Sequence, residues 1–127
     1  MLTRTLWIIF SISSLACSRP NADDRLARYF GLERVPSDTV ALSEAILSKL
    51  GRGASEHDIA GMLKSNGVGS DSLSSYYPPT DSDTGIVRVE HDPHELEFAT
   101  TSYGVRLIFD STRRLSSVRV SRWLTGS

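Results

Sequence analysis

The spacing of apolar residues changes at one place in this chain, the polar stretch from Gly67 to Gly85, and no other feature narrows the choice of folds so far. Before it, Leu42, Ile46 and Leu50 recur every four residues, as one face of an α-helix requires. After it, Val105, Leu107 and Phe109 alternate with other residues, the mark of a strand with one wet face. Ile86 to His91 is a β-branched run that Asp92-Pro93 brings to an end, and in Glu95 to Thr100 carboxylates alternate with Leu96 and Phe98. Beyond Asp110 to Arg114, Val118 and Val120 share one face of a last strand. These patterns predict an α+β domain over residues 38–127. A helical hairpin (38–50 and 55–66) packs on one face of a four-stranded antiparallel meander (86–91, 95–100, 103–110 and 114–124), with residues 67–85 as a loop.

The helices carry their own start and stop signals. Ser37 or Asp38 caps the first helix of the hairpin and Gly51 ends it. Ser55 opens the second with the spacing Ser-x-x-Asp58, a capping box in which each side chain satisfies a free backbone donor, and Asn66-Gly67 closes it. A short helix is also expected within residues 17–37: Asn21 is a good N-cap, Asp24 follows, Gly31 ends it, and Leu26, Tyr29 and Phe30 fall on one side.

The chain opens differently. Arg4 precedes the hydrophobic run Leu6 to Ala16, and the one cysteine, Cys17, follows it. A positive start, a short apolar middle and small residues at the cut are the parts of an export signal, and the run is shorter than the roughly 20 residues that span a bilayer. Residues 1–16 are therefore read as a signal peptide. Ser14-Leu15-Ala16-Cys17 resembles the lipobox of bacterial lipoproteins, in which the cysteine becomes the first mature residue and carries acyl chains such as palmitate. Ser14-x-Ala16 and Ala16-x-Ser18 also satisfy the rule for ordinary signal cleavage. Cysteine usage favours lipidation of Cys17, because an exported protein with one unpaired thiol is unusual and acylation removes the thiol. With Ser18 in second place, resemblance to Gram-negative sorting implies the outer membrane, on its periplasmic face. If the short helix packs on the domain, only Ser18 to Pro20 separate it from the anchor, a reach of about 14 Å.

About 110 residues remain after the signal, enough for one core. The net charge is −1, so no global field argues for nucleic acid or an anionic membrane as a partner. Within this frame, Gly53-Ala54-Ser55-x-x-Asp58-Ile59 leading to Leu63, then Val105-x-Leu107-x-Phe109-Asp110 and Leu115-x-x-Val118, resemble the BamE (SmpA/OmlA) family of small outer-membrane lipoproteins over roughly residues 40–122. The resemblance implies a two-layer domain that supports an assembly machine by protein contacts.

His91-Asp92-Pro93-His94-Glu95 is the densest group of metal-ligand types, but it offers two histidines where zinc takes three or four converging ligands, so a polar turn is expected and no metal or other cofactor. His57 and Asp58 lack an oriented nucleophile and oxyanion donors, and no catalytic residue is assigned. Glu95 and Glu97 are expected to pair with Arg106 across a hairpin. Tyr76-Tyr77-Pro78-Pro79 reads either as a sticky ridge for a partner or as a tyrosine folded back on the core. Trp123 reads as a core lid, with an exposed contact as the alternative. Tyr76, Tyr77, Arg119 and Arg122 are the candidate partner-binding residues. Two functions follow: a non-catalytic envelope lipoprotein working by protein contacts, held to the membrane through Cys17, or an inhibitor or immunity-type module that blocks a periplasmic or secreted enzyme. No small-molecule substrate is evident.

Overall fold

Each helix begins at a side chain that satisfies its free backbone donors. The computed structural model describes residues 21–92 and 99–126. In α1 (Ala22–Phe30) the Asn21 side chain accepts from the Asp24 N–H at 2.8 Å, the Asp24 carboxylate reaches back to the Asn21 N–H, and Gly31 closes the helix at φ 69°. Helix α2 (Thr39–Leu50) starts at Asp38, whose carboxylate accepts from the Val40 and Ala41 N–H groups. Helix α3 (Glu56–Ser65) starts at Ser55, whose hydroxyl accepts from the Asp58 N–H at 3.1 Å. Of the reciprocal pair expected there, the Ser55 half is the one that forms.

The sheet is a four-stranded antiparallel meander in the order β1 (Ser74–Tyr77), β2 (Thr84–Val89), β3 (Ala99–Phe109) and β4 (Leu115–Gly126), as an α+β domain requires. Its strands differ from the expected set in two ways. The stretch 67–85, expected to be loop, contains β1, which pairs Ser74 with Val89 and Tyr77 with Ile86. Ser-Ser-Tyr-Tyr has no apolar alternation to announce it; pairing to one neighbour is what makes it a strand. The expected strands 95–100 and 103–110 are not separate across 100–103, because β3 runs unbroken from Ala99 through Thr101 and Ser102, which pair with Leu124 and Trp123. Thr100-Thr101-Ser102 holds no glycine or proline to turn the chain, and β-branched threonine suits an extended backbone. Residues 93–98 lie outside the described residues.

The helices cover one face. Val87, Val89, Val105, Leu107 and Phe109 point to that side and are buried with Leu26, Phe30, Leu42, Ile46, Ile59 and Leu63. Each such side chain contributes about 1.5–3 kcal/mol by leaving water. The short α1 is a full member of this core: Leu26 and Tyr29 are 0% exposed. Two polar links fasten it to the sheet. The Arg25 guanidinium donates to the Glu90 carbonyl at 2.5 Å and to the Leu73 carbonyl at 3.5 Å, and the Tyr103 hydroxyl donates to the Asp23 carboxylate at 2.5 Å.

The outer edge of β4 is closed by α2. The Ser43 hydroxyl donates to the Thr39 carbonyl at 2.7 Å and accepts from the Val120 N–H at 3.0 Å, so an edge donor that would otherwise face a neighbouring chain is occupied. The turn after β3 is held by Asp110, whose carboxylate accepts from the Thr112 and Arg114 N–H groups and the Thr112 hydroxyl; those bonds hold its pKa below the usual carboxylate value. Arg113 in the same turn adopts φ 63°, a left-handed conformation that is uncommon for a side chain of this size.

Two outcomes follow. Replacing Ser43 with alanine strands the Val120 N–H and should lower stability by about 1–2 kcal/mol, read as a shift in urea midpoint. Burial, together with the hydrogen bond to Asp23, pushes the Tyr103 hydroxyl up to about 12 from 10.0. The unfolded chain releases that proton first, so stability falls as pH rises from 10 towards 12, and Tyr103→Phe should remove this part of the alkaline loss when urea midpoints are compared across that window.

Candidate partner-binding face

With the helices on one side, no covering layer lies on the other face of the sheet among the described residues. Register places Tyr77, Ile86, Arg106 and Arg119 in one row across all four strands. Tyr77 is 52% exposed and Ile86 37%, and both arginines are exposed. In the next row Arg88 lies opposite Gly104, and the Trp123 ring rests where a Gly104 side chain would be, its Cη2 2.8 Å from an ideal Cβ. Trp123 is 54% exposed, so it stands on the surface and is not the core lid preferred from the sequence. It ends up outside because Val118 and Val120 set the inward parity of β4, which turns residue 123 to the open side.

The electrostatics of the row are uneven. Arg88 forms an ion pair with Glu90 at 3.0 Å. Arg106 and Arg119 are direct cross-strand partners, and among the described residues neither forms an ion pair. Like charges facing each other across two strands are destabilising. Glu95 and Glu97, the expected partners of Arg106, lie outside the described residues; β3 is continuous from Ala99, and the cross-strand neighbours of Arg106 are Ile86 and Arg119.

The four candidate residues divide between the two faces. Tyr77 and Arg119 stand on the open face. Tyr76 and Arg122 stand on the helix side: Arg122 donates to the Ser37 carbonyl, and Tyr76 packs on Gly85 and Pro79. The Tyr76 hydroxyl is buried without a hydrogen-bond partner, and burial, reinforced by the nearby Glu56 charge and opposed by Arg113, raises its pKa. Cys17 lies outside the described residues. Sequence reasoning did not single out Ile86 or Arg88, and it assigned Arg106 to a different partner. Strand parity would reveal all three, but only once the register of β2 against β3 is known.

His91 and Arg113 hold structural contacts. The His91 N–H donates to the Ser102 hydroxyl, and its ring Nδ1 shares a second hydrogen bond with the same oxygen at 3.1 Å. His94 lies outside the described residues, and among those described no cluster of three metal-ligating side chains occurs. An open cleft of about 470 Å³ is bordered by Glu56, His57, Tyr76 and Arg113. In it Arg113 forms an ion pair with Glu56 at 2.9 Å and donates to the Ser82 and Pro79 carbonyls, both at 3.2 Å, which ties the β3–β4 turn to α3 and to the turn after β1.

No family model matches the chain, and no curated protein or solved structure is similar enough to count as a match.

Reversing one member of the arginine pair, Arg119→Glu or Arg106→Glu, turns repulsion into attraction and should raise stability by about 0.2–1 kcal/mol, whereas the double reversal restores like charges and should return it to the starting value. Urea midpoints of the four proteins complete the cycle.

Proposed function

We propose that this chain is a non-catalytic envelope lipoprotein that acts by protein–protein contacts, as an accessory subunit of outer-membrane assembly or maintenance. Its address rests on the Arg4-to-Ala16 signal and on Cys17 as the acylated first mature residue. Its kind of work rests on the resemblance to BamE-like lipoproteins. The observation that carries the binding surface is the Arg106–Arg119 pair, two like charges held as cross-strand partners on the open side of the sheet beside Ile86, with neither in an ion pair among the described residues. A domain that needed only stability would place opposite charges there, so an acidic partner surface is what the pair fits. Arginine and tyrosine are the residue types that most often dominate interface energies, and Tyr77 closes the same row.

The inhibitor reading depends on Tyr76 and Tyr77 standing out together as a ridge. Tyr76 instead turns inward, and Arg113 holds the turn that follows, which favours the sheet face as the binding element.

The test uses the membrane form of the protein. Its intact mass should show Cys17 as an acylated amino terminus. Cross-linked and solubilised envelopes should yield a protein partner whose recovery falls at least about tenfold with Arg106→Glu/Arg119→Glu, a loss of roughly 1.4 kcal/mol or more in binding. Tyr77→Ala should weaken it and Tyr76→Phe should leave it unchanged. Undiminished recovery with the double reversal would overturn the proposed surface.

A further inference from the structure

Resting on the lipid-anchor reading, we infer that the domain stands end-on on the bilayer, with the end of the sheet that carries Trp123 and Leu124 seated in the membrane interface. The first step is covalent. Asn21, the cap of α1, follows Cys17 by four residues, and a fully extended chain covers at most about 3.5 Å per residue, so an acylated Cys17 holds Asn21 within about 14 Å of itself. The second step is that α1 is no loose lever. Leu26 and Tyr29 are 0% exposed, Arg25 grips the Leu73 and Glu90 carbonyls, and Asp23 takes the Tyr103 hydroxyl in its first turn. Where the anchor goes, the sheet end beneath that turn must go too.

That end is not neutral in character. Tyr103 lies opposite Arg122, and beyond them Ser102 lies opposite Trp123 and Thr101 opposite Leu124. Trp123 is 54% exposed on the open face and Leu124 is 69% exposed on the other, so large apolar side chains leave both sides of β4 at one level. Leu124 keeps the inward parity of Val118 and Val120, yet it is not part of the core formed by the described residues. In water this apolar area is a continuing cost. At a headgroup boundary tryptophan, with its apolar body and polar N–H, is the side chain most at home, and leucine beside it can enter the acyl region.

The orientation also separates two surfaces. Arg119 is five residues before Leu124, about 16 Å along the strand, which lifts the arginine row clear of the interface and leaves it open to a protein.

Trp7 belongs to the signal, so Trp123 is the sole tryptophan of the mature chain and reports directly. The acylated protein is reconstituted in vesicles of phosphatidylethanolamine and phosphatidylglycerol, with a parallel set brominated high in the acyl chains. Trp123 emission should shift to shorter wavelength on the vesicles and lose most of its intensity on the brominated set, and Leu124→Lys should relieve much of that quenching. Moving the reporter to the far turn, Trp123→Phe/Ser111→Trp, should abolish it. Acylated, vesicle-bound protein with unquenched Trp123, or with equal quenching at positions 123 and 111, overturns the orientation while the anchor stands. A blue shift that appears with protein concentration in the absence of vesicles assigns this end to a second copy and overturns it as well. A bare Cys17 in the intact mass removes the anchor itself, a failure recorded by a different measurement.

Discussion

A buried cation under the first helix is the constraint on which the rest of this structure depends. Arg25 is 3% exposed, its Nε has no partner among the described residues, and its terminal nitrogens meet backbone carbonyls of Leu73 and Glu90. Taking a guanidinium out of water costs several kcal/mol, and carbonyl dipoles offset that only in part. What the arrangement secures is position. The Glu90 N–H also donates to the Leu73 carbonyl at 2.7 Å, so Arg25 holds the entry to β1 and the exit from β2 at their first shared bond. A four-residue edge strand of serine and tyrosine has little apolar burial to keep it in place, and this grip keeps it in register. Through it Tyr77 is set on the open face and the start of α1 is set over the end of the sheet.

How much of this was legible in advance depends on whether the cause is local. Asn21, Asp38 and Ser55 as caps and Gly31 and Gly51 as stops could be recognised because each acts on backbone groups within a few residues. The alternation of Val105, Leu107 and Phe109 was equally plain, since one strand face is a local period. Strand β1 was hidden because its identity comes from Arg88 and Val87 across the sheet and not from its own residues. The Arg106–Arg119 pair was hidden for the same reason: the residues are visible, but their opposition depends on where the β3–β4 turn falls. Arg113 shows a third kind of invisibility, in which an ordinary surface residue takes a left-handed backbone because Glu56 and two carbonyls hold its side chain.

The candidate binding surface shows the opposite balance from the core. Inside, the apolar side chains of helices and sheet pack on one another; on the open face Arg106 confronts Arg119, and Trp123 occupies a seat that exists only because residue 104 lacks a side chain. Local conflicts of this kind gather where something other than folding is being served. Arg88 shows that the sheet can satisfy a charge on this face, through Glu90, whereas among the described residues the arginines one row away form no ion pair.

An open four-stranded sheet can recruit another chain by its edges or by its face, and here the edges are obstructed. On the β4 side Ser43 occupies the Val120 N–H and α2 lies alongside. On the β1 side the strand ends after four residues at Pro78-Pro79, and a proline has no N–H with which to extend a ladder. Strand addition would have to displace a helix from one edge or lengthen a strand against two prolines at the other. The face requires neither: Tyr77, Ile86, Arg106 and Arg119 present side chains already in place on a rigid register. On the proposed reading, a partner would be recognised by side-chain chemistry, with acidic groups opposite the arginines and apolar contact with Tyr77 and Ile86, and not by backbone pairing. Recognition of that kind tolerates no slip in register. The same Arg25 grip that orders β1 therefore also fixes where Tyr77 stands relative to Ile86 and the two arginines.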